Sequence, residues 1–313
     1  MNEKNRRLNQ KLRSELGPIV MAALSDSTVI EIMLNTDGKI WVDKMGSGMI
    51  EVGTMTAPNA EALLGTIADS LHTVITRNQP ILEGELPLDG SRFEGLLPPI
   101  VAQPTFTIRK KASMVFTLEQ YAQEEILTEP HKAAVLSAIL SHKNILIVGG
   151  TGSGKTTFAN AIIDGIAESC PNDRLIIIED TAELQCNAAN VVTLRSSDNV
   201  TMNQLLRATM RLRPDRILVG EVRGPEAMSL LKAWNTGHPG GLATVHANSA
   251  AAGLIRLEQL IAESGTTVSM QPLIAEAVDL IVFIEKYNKG RRIKTVATVN
   301  GLNNTGDYII NPI

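Results

Sequence analysis

Ile145-Leu146-Ile147-Val148-Gly149-Gly150-Thr151-Gly152-Ser153-Gly154-Lys155-Thr156-Thr157 is the stretch on which the fold turns. Its first four residues are apolar without alternation, the pattern of a strand buried on both faces. Residues 149–156 then fit G-x-x-x-x-G-K-[ST], and a helix-periodic segment, 156–167, follows. Strand, glycine turn and helix form the context this motif needs. Glycines let the backbone take conformations closed to other residues and approach a ligand with no side chain between. Successive N–H groups then converge on an anion, helped by the helix N-terminus. Lys155 supplies a positive charge for β- and γ-phosphates, and Thr156 a hydroxyl for Mg²⁺. The reading is an ATP site with Mg²⁺, contacted by Gly149, Gly150, Thr151, Gly152, Ser153, Gly154, Lys155, Thr156 and Thr157.

Outward from this stretch, residues 175–178, 216–219, 242–245 and 280–284 are further apolar runs, separated by helical segments. That alternation predicts an α/β domain with a mostly parallel sheet covered by helices on both faces. Residues 293–299 and 308–310 read as an edge hairpin, and 131–141 as a helix before the first strand. The chain before residue 113 has another style. A helix over 2–16 carries Lys4, Arg6, Arg7, Lys11 and Arg13, with Leu8, Leu12 and Leu16 at helical spacing. Strands are expected at 29–34, 39–42, 92–96 and 105–108, and a helix at 58–76; residues 80–90 are turn-rich. The expected organisation is a smaller α+β domain over 1–112, a linker over 113–129 and the nucleotide-binding domain over 130–313.

Two apolar strands end in acids: Ile178-Glu179-Asp180-Thr181 and Val219-Gly220-Glu221-Val222-Arg223. In a parallel sheet the ligand lies at the carboxyl ends of strands, so these acids are expected beside the glycine loop. ATP hydrolysis needs a metal held by oxygens and a water oriented for in-line attack, and such carboxylates suit either task. Thr156, Glu179 and Glu221 are the expected metal residues. Asp180 and Glu183 serve equally as helix N-cap acids. His246, at the end of the 242–245 strand, is placed to sense the γ-phosphate. His238 sits in a Gly-rich loop and reads either way; His72, His131 and His142 read as surface or packing residues.

The 313 residues include 44% hydrophobic and 20% charged residues, the composition of a folded chain. A net charge of −4 and 3% aromatics argue against strong direct nucleic-acid binding. Cys170 and Cys186 form no C-x-x-C pair, which excludes a zinc site and fits small buried residues in a reducing, cytoplasmic setting. No apolar run is long enough to span a bilayer. The basic first helix reads as a solvated helix packed by its leucines or as a peripheral membrane contact.

The blocks at 149–156, 178–181, 217–223 and 236–249, in that order, resemble the Walker A, Asp box, Walker B and His box of the secretion-superfamily traffic ATPases. Ile30 to Asn35 with Ile40-Trp41-Val42, Gly90-Ser91-Arg92-Phe93 and Thr107-Ile108-Arg109-Lys110 are similar to the conjugation and type IV secretion branch. Thr181, where pilus and type II motors usually carry proline, points the same way. The resemblance implies a RecA-like P-loop domain and a homohexameric ATPase motor. Inner-membrane components of a transfer or secretion channel would be its partners. It implies that Glu221 polarises the attacking water, that Glu179 helps order metal and water, and that Arg92 and Arg109 reach the γ-phosphate. On residues alone, both arginines read as surface ion-pair partners. The competing readings are a pilus or type II secretion motor, a helicase, a small-molecule kinase, and a nucleotide-gated scaffold with slow turnover.

Overall fold

The computed structural model describes residues 3–111, 115–197, 199–265, 268–288 and 290–313. The chain divides into two compact units, Met1–Ser113 and Met114–Ile313.

In the first unit, α1 (Glu3–Ser25) is followed by β1 (Val29–Leu34), β2 (Lys39–Lys44) and β3 (Gly48–Thr54), then α2 (Ala57–Ser70), β4 (Ile81–Glu85), β5 (Arg92–Leu96) and β6 (Thr105–Arg109). The strands form an antiparallel sheet in the order β3-β2-β1-β6-β5-β4. The first helix runs past its expected end at residue 16. Gly17, at φ 72°, breaks the helical path, and Pro18 starts a second turn, so two helices join at a kink. Leu12, Leu16 and Val20 are buried in one core with Ile32, Leu63, Ile67 and Phe106. The leucine stripe is therefore used for packing, while Arg6, Arg7, Lys11 and Arg13 face solvent. The expectation for Asn2 lies outside the described residues. No described helix is long and apolar enough to cross a membrane.

The second unit begins with α3 (Leu118–Gln123) and α4 (Glu129–Leu140), then β7 (Ile145–Val148), α5 (Lys155–Ser169), β8 (Leu175–Glu179) and β9 (Val191–Arg195). It continues through α6 (Met202–Thr209), β10 (Arg216–Val219), α7 (Glu226–Asn235), β11 (Leu242–Val245), α8 (Ala250–Ala262) and α9 (Gln271–Ala277). It ends with β12 (Leu280–Tyr287), β13 (Gly290–Leu302) and β14 (Tyr308–Pro312). The sheet order is β14-β13-β12-β7-β11-β10-β8-β9. From β12 to β9 every pair is parallel, and β13 and β14 add an antiparallel edge. Residue-by-residue alternation shows why the inner strands are wholly apolar. Leu146, Val148, Ile176, Ile178, Ile217 and Val219 enter one core; Ile145, Ile147, Leu175, Ile177 and Leu218 enter the other. The predicted α/β architecture with helices on both faces is the observed one.

One expectation needs correction. The segment 113–129 is not a free connector from Leu118 onward. Thr117 caps α3 with a capping box, and Leu118, Tyr121 and Leu127 are buried in the second unit's core. Ser113 and Met114 lie outside the described residues.

At the amino ends of the parallel strands sits a buried arginine. Arg216 is 1% exposed. Its Nε donates to Asp173 Oδ2 at 2.6 Å, and its terminal nitrogens donate to Gly240 O at 3.2 Å and Ile139 O at 2.9 Å. His142 Nε2 lies 3.1 Å from the same Asp173 oxygen. Cys170 Sγ, 3.2 Å from Arg216, is half-buried, as is Cys186; neither is the fully buried residue expected. Removing one partner of a buried pair strands the other in low dielectric. Arg216→Met is therefore expected to destabilise the second unit by about 3–5 kcal/mol in urea unfolding. Adding Asp173→Asn should recover part of that loss. A cost below about 1 kcal/mol for the single change would show that the cluster is not a structural anchor.

Candidate nucleotide site

Parallel pairing brings the ends of β7, β11, β10 and β8 to one edge of the sheet. Val148 pairs with Val245, so His246 emerges level with Gly149. The loop after β7 turns through Gly152 at φ 67° and Gly154 at φ 98°, and Gly154 forms the N-cap of α5. Both are left-handed conformations that side chains disfavour.

Lys155 is only 6% exposed. Its Nζ donates to the carbonyls of Gly149 and Gly150 at 3.0 and 3.1 Å and reaches His246 Nδ1 at 3.0 Å. An ammonium can only donate, so Nδ1 accepts and the imidazole proton sits on Nε2. That nitrogen lies 2.8 Å from Glu221 Oε1. The other Glu221 oxygen accepts from Arg223 at 2.8 Å, and Arg223 lies 3.4 Å from Asp180 Oδ2. Burial pushes the Glu221 carboxyl up. The Arg223 hydrogen bond and the charges of Arg223 and Lys155, with the His246 ring beside the group, outweigh it and hold it below its ordinary range, ionised.

The second acid behaves differently. Glu179 is 2% exposed and accepts from the amides of Glu183 at 2.7 Å and Leu184 at 3.1 Å. It anchors the loop after β8. Burial pushes its carboxyl up to about 7, against the two amides. Gly220 packs closely beside it: a Cβ there would meet Glu179 Cβ at 3.1 Å, a tight contact. The anchored loop carries Glu183, whose Oε2 accepts from Thr156 Oγ1 at 3.2 Å. Asn160, buried in α5, holds the same loop by accepting from Gln185 N at 2.9 Å.

Thr156, Glu179, Asp180, Glu183, Glu221 and Arg223 line one shallow cleft. A hydroxyl beside a carboxylate is an oxygen-only donor set, which suits Mg²⁺ bound mainly through phosphates and water. No cluster of three or more His, Cys, Asp or Glu side chains suited to a metal occurs among the described residues. Ser153 Oγ is buried with no hydrogen-bond partner among the described residues, a polar atom left over inside the glycine loop. Thr157 follows, half-buried, in the first turn of α5.

The structure thus gathers Lys155, Thr156, Glu179, Glu221 and His246. Neither Glu183 nor Asp180 is the helix N-cap also weighed for them, since no described helix lies between β8 and β9. The structure adds Glu183, and it adds Arg223, to which the residues alone gave no specific task. Their signal was present: both lie within four residues of a strand-end acid. His238 is not brought in. It precedes β11 at the opposite edge, where its Nδ1 donates to Pro214 O at 3.1 Å. Arg92 and Arg109 belong to the first unit. There they are direct partners across β5 and β6, with Arg109 Nε 3.7 Å from Glu31 Oε1.

The Glu179 environment has a sign that can be measured. A carboxyl whose folded-state pKa is raised binds protons more tightly when folded. Its contribution favours folding fully below about pH 4.5 and is lost as pH rises through about 7. Wild type should lose up to about 3 kcal/mol between pH 4.5 and 7.5 relative to Glu179→Gln. Parallel stability–pH curves for the two proteins would refute this environment.

Comparison with known proteins places this site in a lineage. The family model "Type II/IV secretion system protein" matches residues 14–295. A conjugal transfer protein TrbB of Rhizobium radiobacter is 53% identical over 298 residues, covering 95% of this chain and 92% of that protein. The type IV secretion system protein VirB11 of Bartonella quintana is 32% identical, covering 80% and 81%. Among solved structures, the VirB11 ATPase of the Brucella suis type IV secretion system aligns with a TM-score of 0.51 at 25% identity, covering 95% and 97%. The pilus retraction motor PilT shares the fold, with a TM-score of 0.64 at 17% identity, covering 93% and 80%. With the strand-tip acids, the glycine loop and this match over most of its length, the chain belongs to the Type II/IV secretion system protein family.

Proposed function

We propose that this chain hydrolyses ATP as a homohexameric motor that energises conjugative or type IV secretion transfer. Inner-membrane channel components would be its partners, and the chain would sit on the cytoplasmic face of that membrane. One observation supports the chemistry above all others: the chain Lys155–His246–Glu221 runs across three adjacent strand tips at hydrogen-bond distances. The near relatives named for conjugal transfer and type IV secretion support the assignment of the process.

In this reading Lys155 exchanges its two carbonyls and His246 for β- and γ-phosphate oxygens. His246 keeps its Nε2 on Glu221, so it couples the occupancy of the phosphate site to the orientation of that carboxylate. Glu221, already ionised, accepts the proton of the attacking water. Its second oxygen must first leave Arg223, and Arg223 can then turn toward Asp180 or toward phosphate. Mg²⁺, held by Thr156 with Glu183 or Glu179 nearby, would neutralise charge on the β- and γ-phosphates. Arg92 and Arg109, set side by side on one sheet, offer a paired guanidinium surface for the γ-phosphate.

Lys155→Ala is expected to abolish ATP turnover while leaving far-UV circular dichroism unchanged. Glu221→Gln should lower kcat at least about 100-fold yet retain nucleotide binding. Turnover persisting in Lys155→Ala would remove the mechanism. Mass measurement in the presence of ATP should return six copies, and a monomer under all conditions would remove the ring.

A further inference from the structure

The glycine loop has two flanks. One is β11, which brings His246 and the acids. The other is β12, whose Phe283 pairs with Val148, so that residues 284–286 run alongside Gly149 and its successors. A Cβ on Gly149 would meet Ile284 O at 2.5 Å. A Cβ on Gly152 would meet Lys286 Nζ at 3.1 Å, and one on Gly154 would meet Arg291 Cδ at 2.7 Å and Nε at 3.1 Å. Two cations therefore lie directly against the loop, on the side away from Glu221.

Their placement is mildly unfavourable in the protein alone, Lys286 being exposed and Arg291 half-buried. Lys286 and Arg291 are direct partners across the β12–β13 hairpin. Like charges opposite one another in an antiparallel pair destabilise it. Neither side chain has a hydrogen bond or ion pair among the described residues, whereas on the hairpin's other face Glu285 is bonded to both Arg292 and Lys294. The like-charged pair also faces a loop that is electropositive through its inward amides and the start of α5. A local conflict of this kind, on a sheet otherwise well satisfied, marks a ligand-binding position.

We propose that Lys286 and Arg291 form the second wall of the nucleotide site and grip the phosphates that are not transferred, together with the adjoining ribose. The direction follows from the sheet order. The γ-phosphate must face Glu221 on the β11 and β10 side, so the α-phosphate and nucleoside extend toward β12 and β13. This rests on the glycine-loop reading given above. Because the α- and β-phosphates are common to substrate and product, the pair holds ADP as firmly as ATP and sets how long the product stays.

The test uses the full chain, with ADP and a non-hydrolysable ATP analogue as probes in calorimetry. Lys286→Met and Arg291→Met are each expected to raise Kd about 10-fold or more, by the same factor for both nucleotides. Lys286→Glu is expected to act in opposite directions. It replaces the repulsive pair by an attractive one, so the nucleotide-free Tm should rise by about 1–3 °C while ADP affinity falls. Unchanged ADP affinity in these variants would overturn the proposal. A loss confined to the triphosphate would overturn it too, by placing the cations at the γ end. Wild type that binds neither nucleotide, or Lys155→Ala that binds both as well as wild type, would instead refute the glycine-loop reading itself.

Discussion

The register of the β7 strand against its two parallel neighbours governs the rest. Val148 is the last residue of β7, level with Val245 on one side and Phe283 on the other. Parallel hydrogen bonding fixes where each chain leaves the sheet. A slip of one residue on either side would exchange the inward and outward faces and take the emerging side chain with it. The ammonium of Lys155 and the imidazole of His246 meet because β7 and β11 end in step, and the C-terminal hairpin comes against the glycine loop from β12 on its other flank. The apolar cores on both faces make that register expensive to change.

Charge is distributed around this edge in a way that stability alone does not explain. Glu221 is held ionised by the Arg223 hydrogen bond and the charges of Arg223 and Lys155, while Glu179, almost fully buried, is pushed toward neutrality by burial. Two carboxyls at equivalent strand tips are thus given different protonation behaviour by their surroundings, as expected where one acts on a proton and the other supports a loop. Glu179 accepts from the backbone amides of Glu183 and Leu184 and so fixes the loop that carries Glu183.

The inner strands were legible from the sequence because a run such as Ile145 to Val148 has no other reading when both faces are covered. The glycine loop was legible because its spacing is specific. Less visible were strands at the edges. β3 is largely exposed, so its residues do not alternate with a buried face; β9 is a half-buried edge strand, and β4 hides in a turn-rich stretch with Gly84 inside it. The α2 helix ends earlier than its pattern suggests, because His72 takes a left-handed φ of 57°. Arg223 was quoted in its motif and left without a task, since a surface arginine carries no periodicity. Lys286 and Arg291 were unreadable for a different reason: their meaning lies in a cross-strand register and a neighbouring loop, neither of which leaves a trace in local spacing.

The buried Arg216 gives the sheet a mechanical asymmetry. At one end, a single guanidinium ties the β10 strand to the chain before β8, to the turn entering β11 and to the last turn of α4. At the other end, backbone hydrogen bonds such as Gly220 N to Ile178 O and Val222 N to Thr244 O run past the strand tips, and the side chains of Lys155, His246, Glu221 and Arg223 link the loops beyond them. Because one guanidinium holds three separate segments to β10, displacing any one of them pulls on the other two, and this rim of the sheet is built to keep its parts in step.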